Sequence, residues 1–332
     1  RFRIRLFRIR LKLHTRFCER TLDRGYSEGF KQKRVGGTLG IRLLVKKWGG
    51  FATVGGEKVS ERKKVNVLSL GAGTQSSAMA LMAAHGDLPK PDYIIFSDTG
   101  WEPKHVYEWL EKLKKELAKF GLEVITVSQG NIYKDTLRSL ETGERTASMP
   151  FYTKNRETGE RGIVMRQCTS DYKIQPIYKK VRELLGYKPR QQVKELVYMW
   201  KGITTDEIAR LRESTDKWIK FKYPLFEKGM DRLDSINYVR DKMGEIPPKS
   251  SCIGCPFHND EMWLDIKRNS PEEWQQAVDL DKKIRNHPKF KDELYLHKSC
   301  VPLDEVDLNE NQMSFSDFLD DFDNECFGMC GI

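Results

Sequence analysis

Residues 65–82, VNVLSLGAGTQSSAMALM, constrain the fold of this chain more than any other segment. An apolar strand leads into a glycine-rich turn, and the turn leads directly into a helix. This order directs backbone N–H groups and the positive end of a helix toward one point, which suits a bound phosphate or sulfate. Gly71 and Gly73 allow such an anion to approach the backbone closely. Tight packing of a strand on a helix produces the same pattern without a ligand, so the remaining motifs decide between the two explanations.

Side chains in this turn add hydroxyl and amide groups that can hydrogen bond to a bound anion. A second apolar strand, residues 92–100, ends in Asp98, Thr99 and Gly100. Ligands of open α/β sheets bind at the carboxyl ends of the strands, so we expect these three residues to contact the same ligand. In the first motif, the expected contacts are Ser69, Gly71, Ala72, Gly73, Thr74, Gln75 and Ser76.

Three further motifs follow along the chain. The first, CTSDYKIQPI, begins at Cys168 and contains Lys173. The second, GITTDEIAR, covers residues 202–210, and the third, SCIGCPF, contains Cys252 and Cys255. In order and spacing, the five motifs resemble the phosphoadenosine phosphosulfate (PAPS) reductase family, within the adenine nucleotide alpha-hydrolase-like (PP-loop) superfamily. The resemblance covers about residues 65–257.

This resemblance implies an enzyme that binds an adenylated sulfate and reduces it to sulfite by thiol chemistry, with a thioredoxin-like electron donor. It also implies a catalytic role for Lys173, which matches the basic residue of the family motif. Gly202 and Arg210 are expected to contact the nucleotide. Arginine suits bidentate contacts to sulfate or phosphate, whereas lysine acts as a point charge.

Gln75 departs from the pattern of PP-loop ATP pyrophosphatases, which usually carry an acidic residue there. Without that carboxylate, a magnesium ion on a polyphosphate loses an oxygen ligand, which favours a nucleotide sulfate over ATP. Two alternatives stay open. One is a PP-loop ATP pyrophosphatase with an iron–sulfur cluster that acts in DNA phosphorothioation or tRNA thiolation, with nucleic acid as its partner. The other is a non-catalytic protein that senses a nucleotide.

Four cysteines form the candidate metal site. Cys252 and Cys255 are separated by two residues, a turn that points two thiolates at one metal. The resemblance implies that Cys168 is a ligand of a [4Fe-4S] cluster, although cluster-bearing relatives have a second cysteine where this chain has Gln167. We expect Cys300 to supply the fourth thiolate. The alternatives are a zinc site that combines the Cys252–Cys255 pair with His258 or His297, and reduced cysteines without a metal.

An acidic tail, residues 311–332, contains Cys326 and Cys330. The resemblance implies that one of these thiols attacks the sulfur of the bound sulfate, because Glu325 and Cys326 are similar to the end of the reductase family. The histidine that usually follows is absent. An exposed redox-sensitive pair, or two further metal ligands, stay open as alternatives.

Alternating strands and helices predict an α/β fold: a doubly wound parallel sheet with helices on both faces, followed by a mostly helical C-terminal part. Residues 141–161 are polar and contain glycine, so we expect a mobile loop or lid there. The predicted strands cover residues 65–70, 92–100, 124–127 and 196–203, and the predicted helices cover residues 76–85, 103–120, 176–185, 234–243 and 271–285.

Charge divides the chain unevenly. The net charge is +10, but the basic excess lies in residues 1–64, for which we predict a disordered or extraneous leader. A nucleic-acid-binding arm and a transit-like segment are the alternatives. We predict a nucleotide-binding domain over residues 65–230, a helical part with the CxxC pair over 231–310, and a flexible tail over 311–332. No apolar run approaches the ~18 residues of a membrane span, so we expect a cytoplasmic protein without a membrane partner.

Overall fold

The computed structural model describes residues 62–144 and 149–308. Most of the predicted leader and the whole predicted tail, with Cys326 and Cys330, lie outside these residues. The proposed division of the chain into a leader, two folded parts and a tail therefore stays a prediction.

A five-stranded parallel sheet forms the centre of the described part, with the strand order β3-β2-β1-β6-β7. Strand β1 pairs with β2 on one side and with β6 on the other. The inner strands are rich in Val, Ile and Leu because both faces of a parallel sheet are covered. The strands are β1 (Lys64–Leu70), β2 (Tyr93–Asp98), β3 (Val124–Ser128), β6 (Leu196–Trp200) and β7 (Ile219–Lys222).

Helices cover both faces of this sheet, which confirms the predicted doubly wound architecture. Helices α1, α2, α5 and α6 pack on one face, and α4 packs on the other. The helices are α1 (Thr74–His85), α2 (Lys104–Ala118), α3 (Ile132–Thr142), α4 (Gln175–Leu184), α5 (Pro224–Glu227), α6 (Arg232–Met243), α7 (Asp260–Asn269) and α8 (Pro271–Ile284).

Helix α1 is the inner helix of its layer. It is buried from Ser76 to Ala84, and its alanines and serines let the sheet, α2 and α6 approach closely. Helix α2 is amphipathic, since its buried residues recur at helical spacing and its other face is charged. The face predicted from Val106, Trp109, Leu110 and Leu113 is the buried one. Trp109 also donates its indole N–H to Ser77 Oγ at 3.0 Å, which ties α2 to α1.

The prediction of a mobile loop or lid over residues 141–161 was wrong for its second half. Residues 152–154 form β4 (Tyr152–Lys154), which pairs with β5 (Arg161–Ile163) and with β8 (Glu293–Tyr295) in a small antiparallel sheet. The partner β8 comes from the distant C-terminal part, so its pairing left no local pattern in the sequence. Residues 145–148 lie outside the described part.

The C-terminal part is mostly helical, as expected, and α6 to α8 supply much of it. Helix α8 and strand β8 share an apolar cluster with Trp101, Ile132 and Cys252. Within the described ranges, no helix combines the length and the apolar character that a membrane crossing requires.

Candidate active site

The hydroxyl group of Ser76 links the two ends of the loop between β1 and α1. The N–H group of Gly71 donates to Ser76 Oγ at 3.1 Å, and that hydroxyl donates to the carbonyl oxygen of Gly73 at 3.2 Å. Ala72 has a left-handed φ of 57°, which costs a non-glycine residue roughly 1–2 kcal/mol. Gly73 is extended, and no side chain of the described residues caps α1. The positive end of α1 therefore faces the space in front of the loop.

A cleft of about 90 Å³ occupies that space. It lies between the carboxyl ends of β1 and β6, where the strand order changes direction and where ligands of such sheets bind. Glycines allow its walls to approach: a Cβ on Gly73 would lie 2.7 Å from Ser250 Oγ, and a Cβ on Gly202 would lie 2.9 Å from Gln75 Cβ. The lining residues are Gly73, Thr74, Gln75, Gly202, Glu207, Arg210, Arg232, Lys249, Ser250, Ser251, Phe257, His258 and Met262.

Three cations and one carboxylate line this cleft. The buried guanidinium group of Arg210 donates to Glu207, whose carboxylate also accepts the hydroxyl of Thr204 at 3.2 Å. Arg232 is partly buried and Lys249 is exposed. Because positive charge exceeds negative charge and a helix N-terminus adds to it, the cleft favours an anionic ligand.

A neutral, partly apolar wall faces these charges. Ser251 Oγ and His258 Nε2 are 2.8 Å apart, and both residues are buried. Burial and the nearby charge of Lys249 lower the pKa of His258 to about 3, so its ring is neutral. His258 Nδ1 has no hydrogen-bond partner among the described residues. Phe257 and Met262 complete this wall, which provides the apolar surface that a nucleobase needs.

A second cavity, of about 10 Å³, lies next to Gly71. Lys173 lines this cavity rather than the cleft, and its Nζ is 3.6 Å from Glu102 Oε1. The two side chains are only 12% and 3% exposed, so each compensates the buried charge of the other. Lys173 and Arg210 thus line different cavities, and the predicted roles of both residues stay predictions. The cavity is lined by Leu70, Gly71, Phe96, Ser97, Glu102, Lys173 and Ile177.

Thr99, Glu102, Lys173 and Cys252 form what we call the thiol cluster. Thr99 Oγ1 donates to Glu102 Oε1 at 2.9 Å and lies 3.2 Å from Cys252 Sγ, which is itself 3.6 Å from the same carboxylate oxygen. Burial raises the pKa of the Cys252 thiol well above its usual range, and the charge of Glu102 raises it further. Burial and the charge of Glu102 thus oppose ionisation of the Cys252 thiol in this arrangement.

At the carboxyl end of β2, the side chain of Asp98 accepts hydrogen bonds from neighbouring residues. Asp98 Oδ1 accepts the N–H group of Gly100 at 2.8 Å and the hydroxyl of Tyr107 at 2.7 Å. Gly100 has a φ of 72°, and a Cβ there would lie 2.9 Å from Asn131 Cα. Ser69 is buried behind the loop, and its hydroxyl has no hydrogen-bond partner among the described residues. Ser69, Asp98 and Gly100 do not line the cleft, so their predicted ligand contacts stay predictions.

The four predicted cysteine ligands are not gathered at one point. Cys168 packs against the apolar cluster that contains Cys252, and the N–H group of Cys255 donates to the carbonyl of Cys252 at 3.0 Å. Cys300 Sγ instead faces the carbonyl oxygen of Thr153 at 3.7 Å, in the antiparallel sheet. Within residues 62–144 and 149–308, no group of three or more His, Cys, Asp or Glu side chains is placed to hold a metal.

The histidines of the zinc alternative are engaged elsewhere. His258 pairs with Ser251, while His297 Nε2 is 3.0 Å from Asp260 Oδ1 and its Nδ1 is 2.7 Å from Ser299 Oγ. As placed, the described residues do not fit a four-ligand cluster or zinc ion, and we assign no chemical step to a metal. Both metal sites stay predictions.

Sequence reasoning missed several residues of both sites. Glu102 follows Asp98 by four residues, and an acidic residue so close to a predicted ligand-binding turn was an available signal. Arg232 and Lys249 lie outside every motif, and nothing distinguishes them in a chain with 58 basic residues. Ser251 and His258 flank the CxxC turn, and the two cysteines suggested a metal site there. The contact between the serine and the histidine was therefore not predicted.

Together, these observations define an α/β protein with a parallel central sheet, a glycine-rich loop at its switch point and a cationic cleft in front of that loop. No family model matches the chain, and no curated protein matches it. Among solved structures, the chain is similar to the U34-tRNA thiolase NcsA from Methanococcus maripaludis with its [4Fe-4S] cluster. The two are 14% identical with a TM-score of 0.33, over 76% of this chain and 77% of the other.

Proposed function

We propose that this chain is a PP-loop-type enzyme that uses ATP to activate an acceptor in a nucleic acid for sulfur insertion. An oxygen of the acceptor attacks the α-phosphorus of ATP, and pyrophosphate leaves. The observation that supports this proposal is the cleft, in which the start of α1 and the side chains of Arg210, Arg232 and Lys249 face one space. A nucleotide triphosphate carries its negative charge on the groups that such a space attracts.

Electrostatics of the cleft suit the proposed reaction. Negative charge builds up on the leaving pyrophosphate in the transition state, and fixed cations stabilise it without reorganisation. Glu207 is the one carboxylate among the described lining residues, and it already accepts hydrogen bonds from Arg210 and Thr204. Among the described lining residues, three cations thus stand against one carboxylate, and the excess positive charge acts on the phosphates. Phe257 and Met262 offer a surface for the base.

Reduction of an adenylated sulfate is the second candidate. Gln75 favours it, because this residue lies in the cleft wall where a carboxylate would otherwise help to hold magnesium. Its nucleophile would be Cys326 or Cys330, with a thioredoxin-like donor, and both thiols lie outside the described residues. Lys173, the cation expected at the sulfate, instead pairs with Glu102 next to the other cavity. This placement makes reduction the weaker proposal.

Product analysis tests the two reactions. With ATP and bulk tRNA or DNA fragments, we expect pyrophosphate to form only when nucleic acid is present, while the adenylyl group stays on the acceptor oxygen. Added sulfide should then displace AMP from the adenylated acceptor. Sulfite released from PAPS in the presence of thioredoxin, without pyrophosphate from ATP, would move the assignment to the reductase. Tight nucleotide binding without either product would instead indicate a sensing protein.

A further inference from the structure

The small antiparallel sheet has a buried inner face and an outer face that is open along β5. Its inner face packs against the apolar cluster of the C-terminal part, to which Leu294 of β8 belongs. Directly opposite residues of an antiparallel pair share a face, and the register places Lys154 opposite Arg161 and Tyr152 opposite Ile163. The outer face, which we call the basic face, therefore carries Tyr152, Lys154, Arg161, Ile163 and, two positions further along, Met165.

Positive charge on the basic face is not compensated by the described residues. Lys154 and Arg161 are direct neighbours across the two strands, and like charges in this arrangement lower stability. Neither side chain forms an ion pair within residues 62–144 and 149–308. Glu293, the neighbour of Lys154 on β8, instead accepts the hydroxyl of Tyr295 at 2.8 Å. The two cations therefore favour an anionic partner.

Exposed apolar side chains accompany these charges. Ile163 is 50% exposed and Met165 is 76% exposed, and both follow Arg161 along an edge of the sheet. Charged residues on an edge strand prevent its pairing with another chain, but that role needs no apolar surface beside them. A positively charged surface with an aromatic side chain, here Tyr152, and apolar neighbours instead suits the phosphates and the base faces of a nucleic-acid strand.

Arg166 connects the basic face with the cleft. It follows Met165 directly, and its guanidinium carbon lies 5.5 Å from the centre of the Phe257 ring, which lines the cleft. Its Nη1 is buried and has no hydrogen-bond partner among the described residues. Guanidinium N–H groups are strong donors to phosphate oxygens, and a buried donor without an acceptor is costly. A strand that lies on the basic face therefore passes Arg166 before it reaches the cleft.

We propose that the basic face binds an unpaired stretch of the acceptor nucleic acid and leads it to the cleft. Phosphates contact Lys154, Arg161 and Arg166, while bases contact Tyr152 and the two exposed apolar side chains. Base faces are accessible in a single strand and hidden in a duplex, so the basic face selects unpaired nucleic acid. This inference rests on the proposed function, because it names the surface that receives the acceptor.

Fluorescence anisotropy on the full chain tests this surface, with a labelled single-stranded oligonucleotide and the duplex of the same sequence. Arg161→Met should weaken binding of the single strand about threefold to tenfold and reduce the salt slope by about one. Ile163→Ser combined with Met165→Ser should weaken the single strand about tenfold, the effect of one lost base contact, and leave the duplex within about twofold. The basic excess of residues 1–64 is the same in every variant, so its contribution cancels in the comparison.

Matched controls come from other exposed positions. Lys220→Met removes an exposed lysine from β7, the edge strand of the parallel sheet, and Ile246→Ser removes a side chain that is 55% exposed. Neither change should alter either affinity. Arg161→Met removes one of two opposed like charges, so the free energy of unfolding should stay the same or rise. A loss of stability with unchanged affinity would show a structural role and overturn the inference.

The outcomes separate this surface from the proposed function. Equal affinity of all variants for the single strand would overturn the surface and leave the proposed function standing. Displacement of the oligonucleotide by poly-glutamate at equal charge would also overturn it, because charge alone would then be recognised. Binding that depends on the basic face but never leads to pyrophosphate release from ATP would overturn the proposed function and leave the surface standing. Absence of any nucleic-acid binding would overturn both.

Discussion

The cleft and the thiol cluster lie near the same loop and treat charge in opposite ways. In the cleft, cations line an open space and outnumber the one carboxylate among the described lining residues. In the thiol cluster, Lys173 and Glu102 are buried against each other, and Thr99 and Cys252 hydrogen bond to the same carboxylate. Removing one partner of a buried pair leaves an isolated charge and destabilises the fold, whereas an excess of positive charge at an open cleft attracts an anionic ligand.

This difference separates two roles that the motifs had merged. Lys173 and Arg210 both belong to motifs of the resembled family, yet only Arg210 lines the cleft. Both cations pair with a buried carboxylate, Lys173 with Glu102 and Arg210 with Glu207, so the cavity that each one lines distinguishes them. We therefore expect changes in the thiol cluster to act on stability and changes in the cleft to act on nucleotide affinity.

The largest expected effect comes from Glu102→Leu. This change leaves Lys173 buried without its carboxylate, so the free energy of unfolding should fall by about 3–5 kcal/mol. Combining it with Lys173→Met should recover most of the loss, because no isolated charge then remains. Urea unfolding followed by circular dichroism measures both effects.

Glu245→Leu provides the matched control for that change. It removes the carboxylate that Lys112 contacts at 2.8 Å, but this pair is 54% and 43% exposed, so the loss should stay within about 1 kcal/mol. Nucleotide affinity is then measured for both variants and for the natural protein, at a temperature at which all of them are folded. A Glu102→Leu protein of unchanged stability with weakened nucleotide binding would place the thiol cluster in the ligand site and break the comparison.

A smaller effect is expected from Gly202→Ala, on the cleft side. The new Cβ would lie 2.9 Å from Gln75 Cβ and 3.1 Å from the backbone nitrogen of Ser76. The loop must move to accept it, which costs about 1–3 kcal/mol and shifts the start of α1 away from its ligand. We expect nucleotide affinity to fall about tenfold, measured by calorimetry, for each 1.4 kcal/mol of lost contact.

Gly86→Ala separates this effect from a loss of stability. Gly86 ends α1 with a φ of 86°, and a Cβ there meets nothing within 4 Å. The substitution should cost about 1–2 kcal/mol of stability through backbone strain and leave nucleotide affinity unchanged. If both glycine variants bind nucleotide equally well, the contact between Gly202 and the loop is not needed for the site.

Local patterns predicted the parts of the fold that are built from neighbours in sequence. The loop from Gly71 to Gln75, the buried face of α2 and four of the five strands of the central sheet follow from apolar periodicity and turn chemistry. Strands β4, β5 and β8 have three residues each, which is too short for a periodic pattern, and β4 pairs with β8 across more than a hundred positions. Strand β7, with four residues, was missed for the same reason.

The candidate site divides in the same way into residues that local sequence patterns predicted and residues that distant contacts bring in. Residues of the glycine-rich motif and Gly202 reach the cleft because strand ends place them there. Arg232 and Lys249 reach it through the packing of α6 on α1 and the path of the chain after α6, which depend on contacts distant in sequence. Cys300 was expected to supply the fourth thiolate, but its Sγ lies 3.7 Å from the carbonyl oxygen of Thr153 in strand β4.

A second buried lysine sharpens the contrast between compensated and uncompensated charge. Lys201 follows β6 directly, is 3% exposed, and its Nζ lies 4.8 Å from the centre of the Phe221 ring. Burial lowers its pKa to about 7, from an ordinary value of 10.5. In the unfolded chain Lys201 keeps its proton up to the ordinary pKa, whereas in the folded protein it loses the proton near neutral pH.

The smallest predicted effect is therefore a dependence of stability on pH. Between the two pKa values the unfolded state binds more protons, so the free energy of unfolding should rise with pH, by at most about 1.4 kcal/mol per pH unit. Urea unfolding of the natural protein and of Lys201→Met at pH 7, 8 and 9 isolates this contribution, because other titrating groups cancel in the difference. The natural protein should gain stability relative to the variant as pH rises. A constant difference would mean that Lys201 stays charged in the folded state and is compensated there, as Lys173 is.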